Sequence, residues 1–139
     1  MTDYGERIAA AAEACLGARF RLHGRRPDTG IDCVGLALWS CRQAGLEALD
    51  PHHYGLRNLD IARLLPALEA SGLKPAEGHR QRGDILLVQL GPAQHHLLIA
   101  TGPAECVHAH AGLRRVVAST LQPDWRVIES RRAIPIQED

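Results

Sequence analysis

Cys33 stands where a glycine-bearing loop, Thr29-Gly30-Ile31-Asp32, gives way to the helical pattern CVGLALWSCRQAG. A thiol at a helix start feels the positive end of the helix dipole and unpaired backbone N–H groups. Both favour the thiolate, which is the nucleophilic form. The same N–H groups suit a developing oxyanion. The plainer alternative is a cysteine that fills space at a helix start. Cys15, Cys41 and Cys106 are the other three, and one of the four is expected to have a chemical job while the rest act as small buried hydrophobes. No CxxC pair occurs, so neither a zinc knuckle nor a thioredoxin-type motif is on offer.

A second reactive set lies in QHHLLIATG and ECVHAHAG. Gly102-Pro103 separates two apolar strands and suggests a hairpin. With the turn centred on Gly102, residues whose numbers sum to about 204 lie opposite one another, so His96 faces His108. Side chains alternate with period two, which puts His96, His108 and His110 on one face and His95 on the other. The plainer alternative is a set of histidines at a solvated sheet edge. Two chemistries use the converging set. In a cysteine hydrolase one His takes the thiol proton and another polar group holds its ring. In a zinc hydrolase His96, His108 and His110 supply three nitrogens and leave a position for water. Glu105 is the carboxylate nearest in sequence, and none stands out as a partner.

The elements that must position these groups fall into two halves. Residues 3–17 read as a helix with Ile8, Ala11, Ala12, Cys15 and Leu16 on one face and Gly17 as its stop. Residues 18–31 read as a loop. Asp32 caps a second helix that Gly45 ends, and a third runs from a cap at Asn58 to Ser71-Gly72, with Pro66 as a kink. After Gly83 the pattern changes to short alternating apolar segments, 84–90, 96–101, 105–110, 113–119 and 125–133. Helices first and an antiparallel sheet of about five strands afterwards is an α+β layout with helices packed on one side. Trp39 and Trp125 read as core anchors. Arg19, Arg21, Arg25 and Arg26 read either as a solvated loop or as a rim that attracts acidic groups.

Composition narrows the class. The 139 residues fit a single domain, and 45% hydrophobic with 23% charged residues is ordinary for a globular chain. A chain this long needs no disulfide or metal to fold. Sixteen basic residues cancel sixteen acidic ones, which argues against a strong electrostatic binder of nucleic acid or membrane. No apolar run approaches the roughly 18 residues of a membrane span, and the first residues carry no signal-peptide pattern, so a cytoplasmic chain as synthesised is expected. No phosphate loop, serine nucleophile elbow or HExxH is present.

Taken together, GIDCVGLALWSCRQAGL, RGDILLVQ, HLLIATG and CVHAHAG resemble, in order, the nucleophile segment, Gly-Asp strand, His strand and third-residue strand of the NlpC-type family of papain-like cysteine peptidases. These act on bacterial cell-wall peptides. The resemblance spans about residues 8–120. It implies a papain-like α+β domain over residues 1–139, with Cys33 as nucleophile, His96 as general base and His108 as the residue that orients His96. It places Phe20 and Val34 at substrate-contacting positions, puts Asp32 where it either holds the substrate's amino group or structures the loop, and implies no cofactor. The implied reaction is hydrolysis of an amide bond in peptidoglycan stem peptides, typically between D-glutamate and the diamino acid. Two residues depart from the pattern: Val34 stands where Ser is frequent, and Phe20 where Tyr is frequent. The short form resembles enzymes encoded with phage-tail or gene-transfer-agent particles, which would make the particle the delivery route and its proteins partners. The rivals are the zinc hydrolase, a non-catalytic scaffold module of the same fold, and an acyl-transfer enzyme with another amide or ester substrate.

Overall fold

The computed structural model describes residues 3–51, 61–92 and 94–134. Helix α1 (Tyr4–Ala14) begins at Asp3, whose carboxylate accepts from the Glu6 N–H at 3.0 Å. Tyr4, Ile8, Ala9 and Ala12 form its buried face, and the chain turns out at Gly17, whose φ is +86°. Helix α2 (Cys33–Gln43) buries Val34, Leu36, Ala37, Leu38, Ser40 and Cys41, nearly its whole circumference. That is the pattern of a central helix, and α2 packs against α1 on one side and the sheet on the other. Helix α3 (Ile61–Ala70) contains Pro66 and buries Leu64 and Leu68, one helical turn apart. The expected cap at Asn58 lies outside the described residues. Among the described residues no helix is long and apolar enough to cross a membrane.

A short hairpin of β1 (Arg25–Arg26) and β2 (Gly30–Ile31) precedes α2, in a stretch expected to be loop. Two-residue strands are too short for any alternation to show in sequence. The main sheet comprises β3 (Leu73–Pro75), β4 (Ile85–Gly91), β5 (Gln94–Ala100), β6 (Glu105–His110), β7 (Arg115–Thr120) and β8 (Arg126–Ala133), in the order β3-β8-β4-β5-β6-β7 with antiparallel neighbours. The expectation of about five strands becomes six because β3 joins β8 at one edge. Three residues ending in proline carry no readable strand signal, and an edge tolerates the missing N–H.

The helices cover one face of the sheet, where Ile85, Leu87, Leu97, Ile99, Val107, Ala109 and Val116 meet α1 and α2. Leu86, Val88, Leu98, Ala100 and Cys106 form a second cluster on the other face, covered in part by Leu121 and Trp125 from the β7–β8 connection. Burial on both faces explains why β4 reads as the unbroken run Ile-Leu-Leu-Val. Trp39 and Trp125, expected as core anchors, are only half-buried.

The loop ahead of Cys33 is sewn to this frame by backbone. Gly17 N–H donates to Val116 C=O and Phe20 N–H to Arg114 C=O, both at 2.9 Å, which covers the free edge of β7. Ile31 N–H then donates to Arg19 C=O at 2.9 Å. Beneath the loop, Gly35 of α2 lies so close to Gly24 that a Cβ on Gly35 would sit 2.1 Å from the Gly24 carbonyl oxygen. Both partners there are backbone, so neither can rotate away. Gly35→Ala is therefore expected to lower stability by about 2–3 kcal/mol, read as a reduced urea midpoint with an unchanged slope.

Candidate active site

Asp32 fixes where α2 begins. Its carboxylate accepts from Gly35 N–H at 2.8 Å, the helix cap, and from His23 N–H at 2.7 Å across the loop. Arg25 Nη1 donates to it at 3.1 Å, and the same guanidinium grips Asp50 through Nε and Nη2 at 2.8 and 2.9 Å. Asp32 is 1% exposed. This set of partners structures the loop ahead of the cysteine.

Cys33 is half-buried at the first position of α2. Burial pushes its thiol up to about 12, and the neighbouring Asp32 charge pushes the same way. The peptide N–H groups of Leu97, Val34 and Cys33 itself pull it down, but by less. The helix-start effect expected from sequence is thus present and outweighed: removing the sulfur from water costs the thiolate more than the end of α2 returns. At neutral pH the resting group is a thiol. Its contact with the Leu97 N–H also locates it, because Leu97 follows His96 on β5.

The two histidines meet directly. Nε2 of His96 lies 3.0 Å from Nδ1 of His108, with ring planes 80° apart. The register that brings them together differs from the expected one. The β5–β6 ladder consists of Ile99↔Val107 and Ala100↔Cys106, so the turn centres on residue 103 rather than 102 and the strands slide by two residues. A slide of two preserves side-chain parity. The shared face stands, while His96 and His108 are not strictly opposite. The short ladder leaves both rings beyond its last pair, where they turn toward each other.

Burial, then the neighbouring histidines, lowers His96 to about 3. Burial, then His110, lowers His108 to about 4. His108 is 3% exposed, and Trp125 meets its ring edge-on at 5.6 Å. Nε2 of His108 continues to Ser119 Oγ at 3.2 Å, and Ser119 Oγ lies 3.6 Å from Cys106 Sγ. Ser119 escaped the sequence reading. The turn at Gly112 held the signal, since Cys106 pairs with Ser119 across it.

The remaining candidates separate. Phe20 is half-buried and bridges Ile31 through its backbone while packing on the core, and Val34 is 1% exposed inside that core. His95 pairs with Gln89 on β4 and leaves a buried Nδ1 without a partner. Glu105 is exposed and bonds the Ala104 N–H through its side chain. Nδ1 of His110 accepts from the Leu113 N–H at 3.0 Å. Among the described residues no three His, Cys, Asp or Glu side chains converge as a metal-binding group. Nε2 of His96 faces Nδ1 of His108 within hydrogen-bond distance. In the arginine cluster, Arg25 ties Asp32 to Asp50 and exposed Arg26 pairs with Asp28.

Neutral, buried histidines have a consequence for stability. The unfolded chain takes up a proton near each ordinary His value of 6.5, and the folded chain resists until about 3–4. Their contribution is complete above 6.5 and is lost as pH falls toward the folded values. The melting temperature is expected to drop by several degrees between about pH 7 and pH 4.5, and a His108→Gln variant to lose part of that slope. Calorimetry of the two proteins across that range checks it.

No protein-family model and no curated protein matches the chain. Solved structures do. NlpC1 from Trichomonas vaginalis superposes with a TM-score of 0.73 at 20% identity over 95% of this chain, and this chain spans 45% of that one. The NlpC/p60 domain of the peptidoglycan hydrolase SagA gives 0.60 at 24% identity, over 88% of this chain and 97% of that domain. The P60 domain of a Mycobacterium avium subspecies paratuberculosis antigen gives 0.60 at 19% identity, over 96% of each chain. The fold of this chain is the papain-like α+β fold of NlpC/P60 domains.

Proposed function

We propose that Cys33, His96 and His108 form the triad of a cysteine peptidase that hydrolyses an amide bond in peptidoglycan stem peptides, between D-glutamate and the diamino acid. The observation that carries this reading is the 3.0 Å His96–His108 bond. The thiol that opens α2 is linked to the strand carrying His96 through the Leu97 N–H, in a fold shared with a peptidoglycan hydrolase domain. In this reading Nε2 of His96 is held by His108, which leaves Nδ1 for the thiol. Sγ of Cys33 attacks the scissile carbonyl carbon as its proton passes to Nδ1 of His96. The oxyanion is held by the Cys33 backbone N–H. The C–N bond then breaks, His96 protonates the leaving amine, and a thioester remains. Water adds to the thioester carbonyl with His96 again taking the proton, the C–S bond breaks, His96 returns the proton to Sγ of Cys33, and the freed acid departs. Because the resting pair is thiol and neutral imidazole, proton transfer accompanies attack. Delivery to the wall by a particle or another protein belongs to the same proposal.

Purified muropeptides incubated with the protein and analysed by mass spectrometry test it. The expected result is a new fragment pair that names the bond, absent with Cys33→Ala. His96→Ala is expected to lower the rate about 10²–10⁴-fold. Absence of cleavage by a folded protein would favour the scaffold alternative. A second measurement concerns the thiol. Iodoacetamide labelling of Cys33 is expected to be slow at pH 7 and to rise about tenfold per pH unit through pH 9. A plateau below pH 8 would indicate a preformed thiolate and overturn the neutral resting pair.

A further inference from the structure

A neutral imidazole carries one N–H. For His96 to accept a proton from Cys33 on Nδ1, its own proton must sit on Nε2, which faces Nδ1 of His108 at 3.0 Å. Nδ1 of His108 is then an acceptor, and the proton of His108 must sit on Nε2. That nitrogen lies 3.2 Å from Ser119 Oγ, so the serine must accept. The opposite order runs just as continuously. If the serine hydroxyl donates to His108, the proton of His108 moves to Nδ1 and that of His96 to Nδ1, and His96 is no longer a base toward the thiol. The hydroxyl therefore sits at the end of a chain with one productive and one unproductive proton order.

Cys106 stands at the far end of this chain. Its sulfur lies 3.6 Å from Ser119 Oγ, and in the productive order it can take the hydroxyl proton that His108 does not receive. The two residues are held together as a cross-strand pair of β6 and β7. His108 itself pairs with Val117, so its ring reaches Ser119 diagonally.

We infer that Ser119 is a positioning residue that keeps the proton of His108 on Nε2, and through it leaves Nδ1 of His96 free as the base. This rests on the triad reading, since Ser119 acts only through His108. The test uses the full chain with ¹⁵N-labelled histidine rings. Two-bond ¹H–¹⁵N correlation spectra at pH 7 give the tautomer of each ring without reference to activity, and muropeptide kinetics are measured on the same samples. The expected result is an Nε2–H tautomer at His108 in the natural protein. Ser119→Ala should shift that ring toward Nδ1–H and lower kcat about tenfold at unchanged KM, the signature of a contact that matters in the transition state. Ser119→Thr, which keeps the hydroxyl, should restore both. Ser119 is half-buried near the sheet edge, and Ser119→Val is the second variant should the alanine protein fold poorly. An Nδ1–H tautomer at His108 in the natural protein would overturn the inference, as would Ser119→Ala spectra and kcat that match it. A tautomer shift in a protein with no Cys33-dependent cleavage would uphold the proton ordering and overturn the triad reading instead.

Discussion

The Asp32 carboxylate gathers donors from three places: Gly35 in the first turn of α2, His23 in the preceding loop, and the Arg25 guanidinium that also holds Asp50 beyond the helix end. A buried carboxylate without such partners would cost several kcal/mol, so the group and its donors require one another. The consequence is a helix start that cannot drift. Cys33 is the next residue, and its position relative to β5 follows from that cap and from the close approach of Gly35 to Gly24.

Desolvation dominates the electrostatics of the site. The end of α2 favours the thiolate, yet burial wins and holds Cys33 as a thiol, while the same burial holds His96 and His108 as neutral imidazoles. A site built this way rests uncharged. In the proposed mechanism proton order, rather than resting charge, then decides whether His96 is a base. That order is set by the hydrogen bonds around the second ring, which Trp125 shields edge-on.

Much of this was legible in sequence. Alternation and glycine punctuation located β4 to β8 within a few residues, the apolar face of residues 3–17 located α1, and the cap at Asp32 located the start of α2. The face shared by His96 and His108 was legible because strand parity survives a register slide of two. The slide itself was not, because a Gly-Pro connection allows more than one turn length and only the pairing of β5 with β6 selects between them. The hairpin β1–β2 and the edge strand β3 are too short to leave a pattern.

The sequence by itself determined which residues can act. It set a cysteine behind a capping aspartate, and histidines of one parity on neighbouring strands, because capping and alternation are local and read over a few residues. Tertiary structure alone decided the state of those residues. The thiol is neutral because packing removes it from water, Asp32 is committed because Arg25 folds back onto it, and Ser119 joins the histidines because β7 pairs with β6. Burial and cross-strand contact join groups far apart in the chain, so they exist only once the sheet has closed.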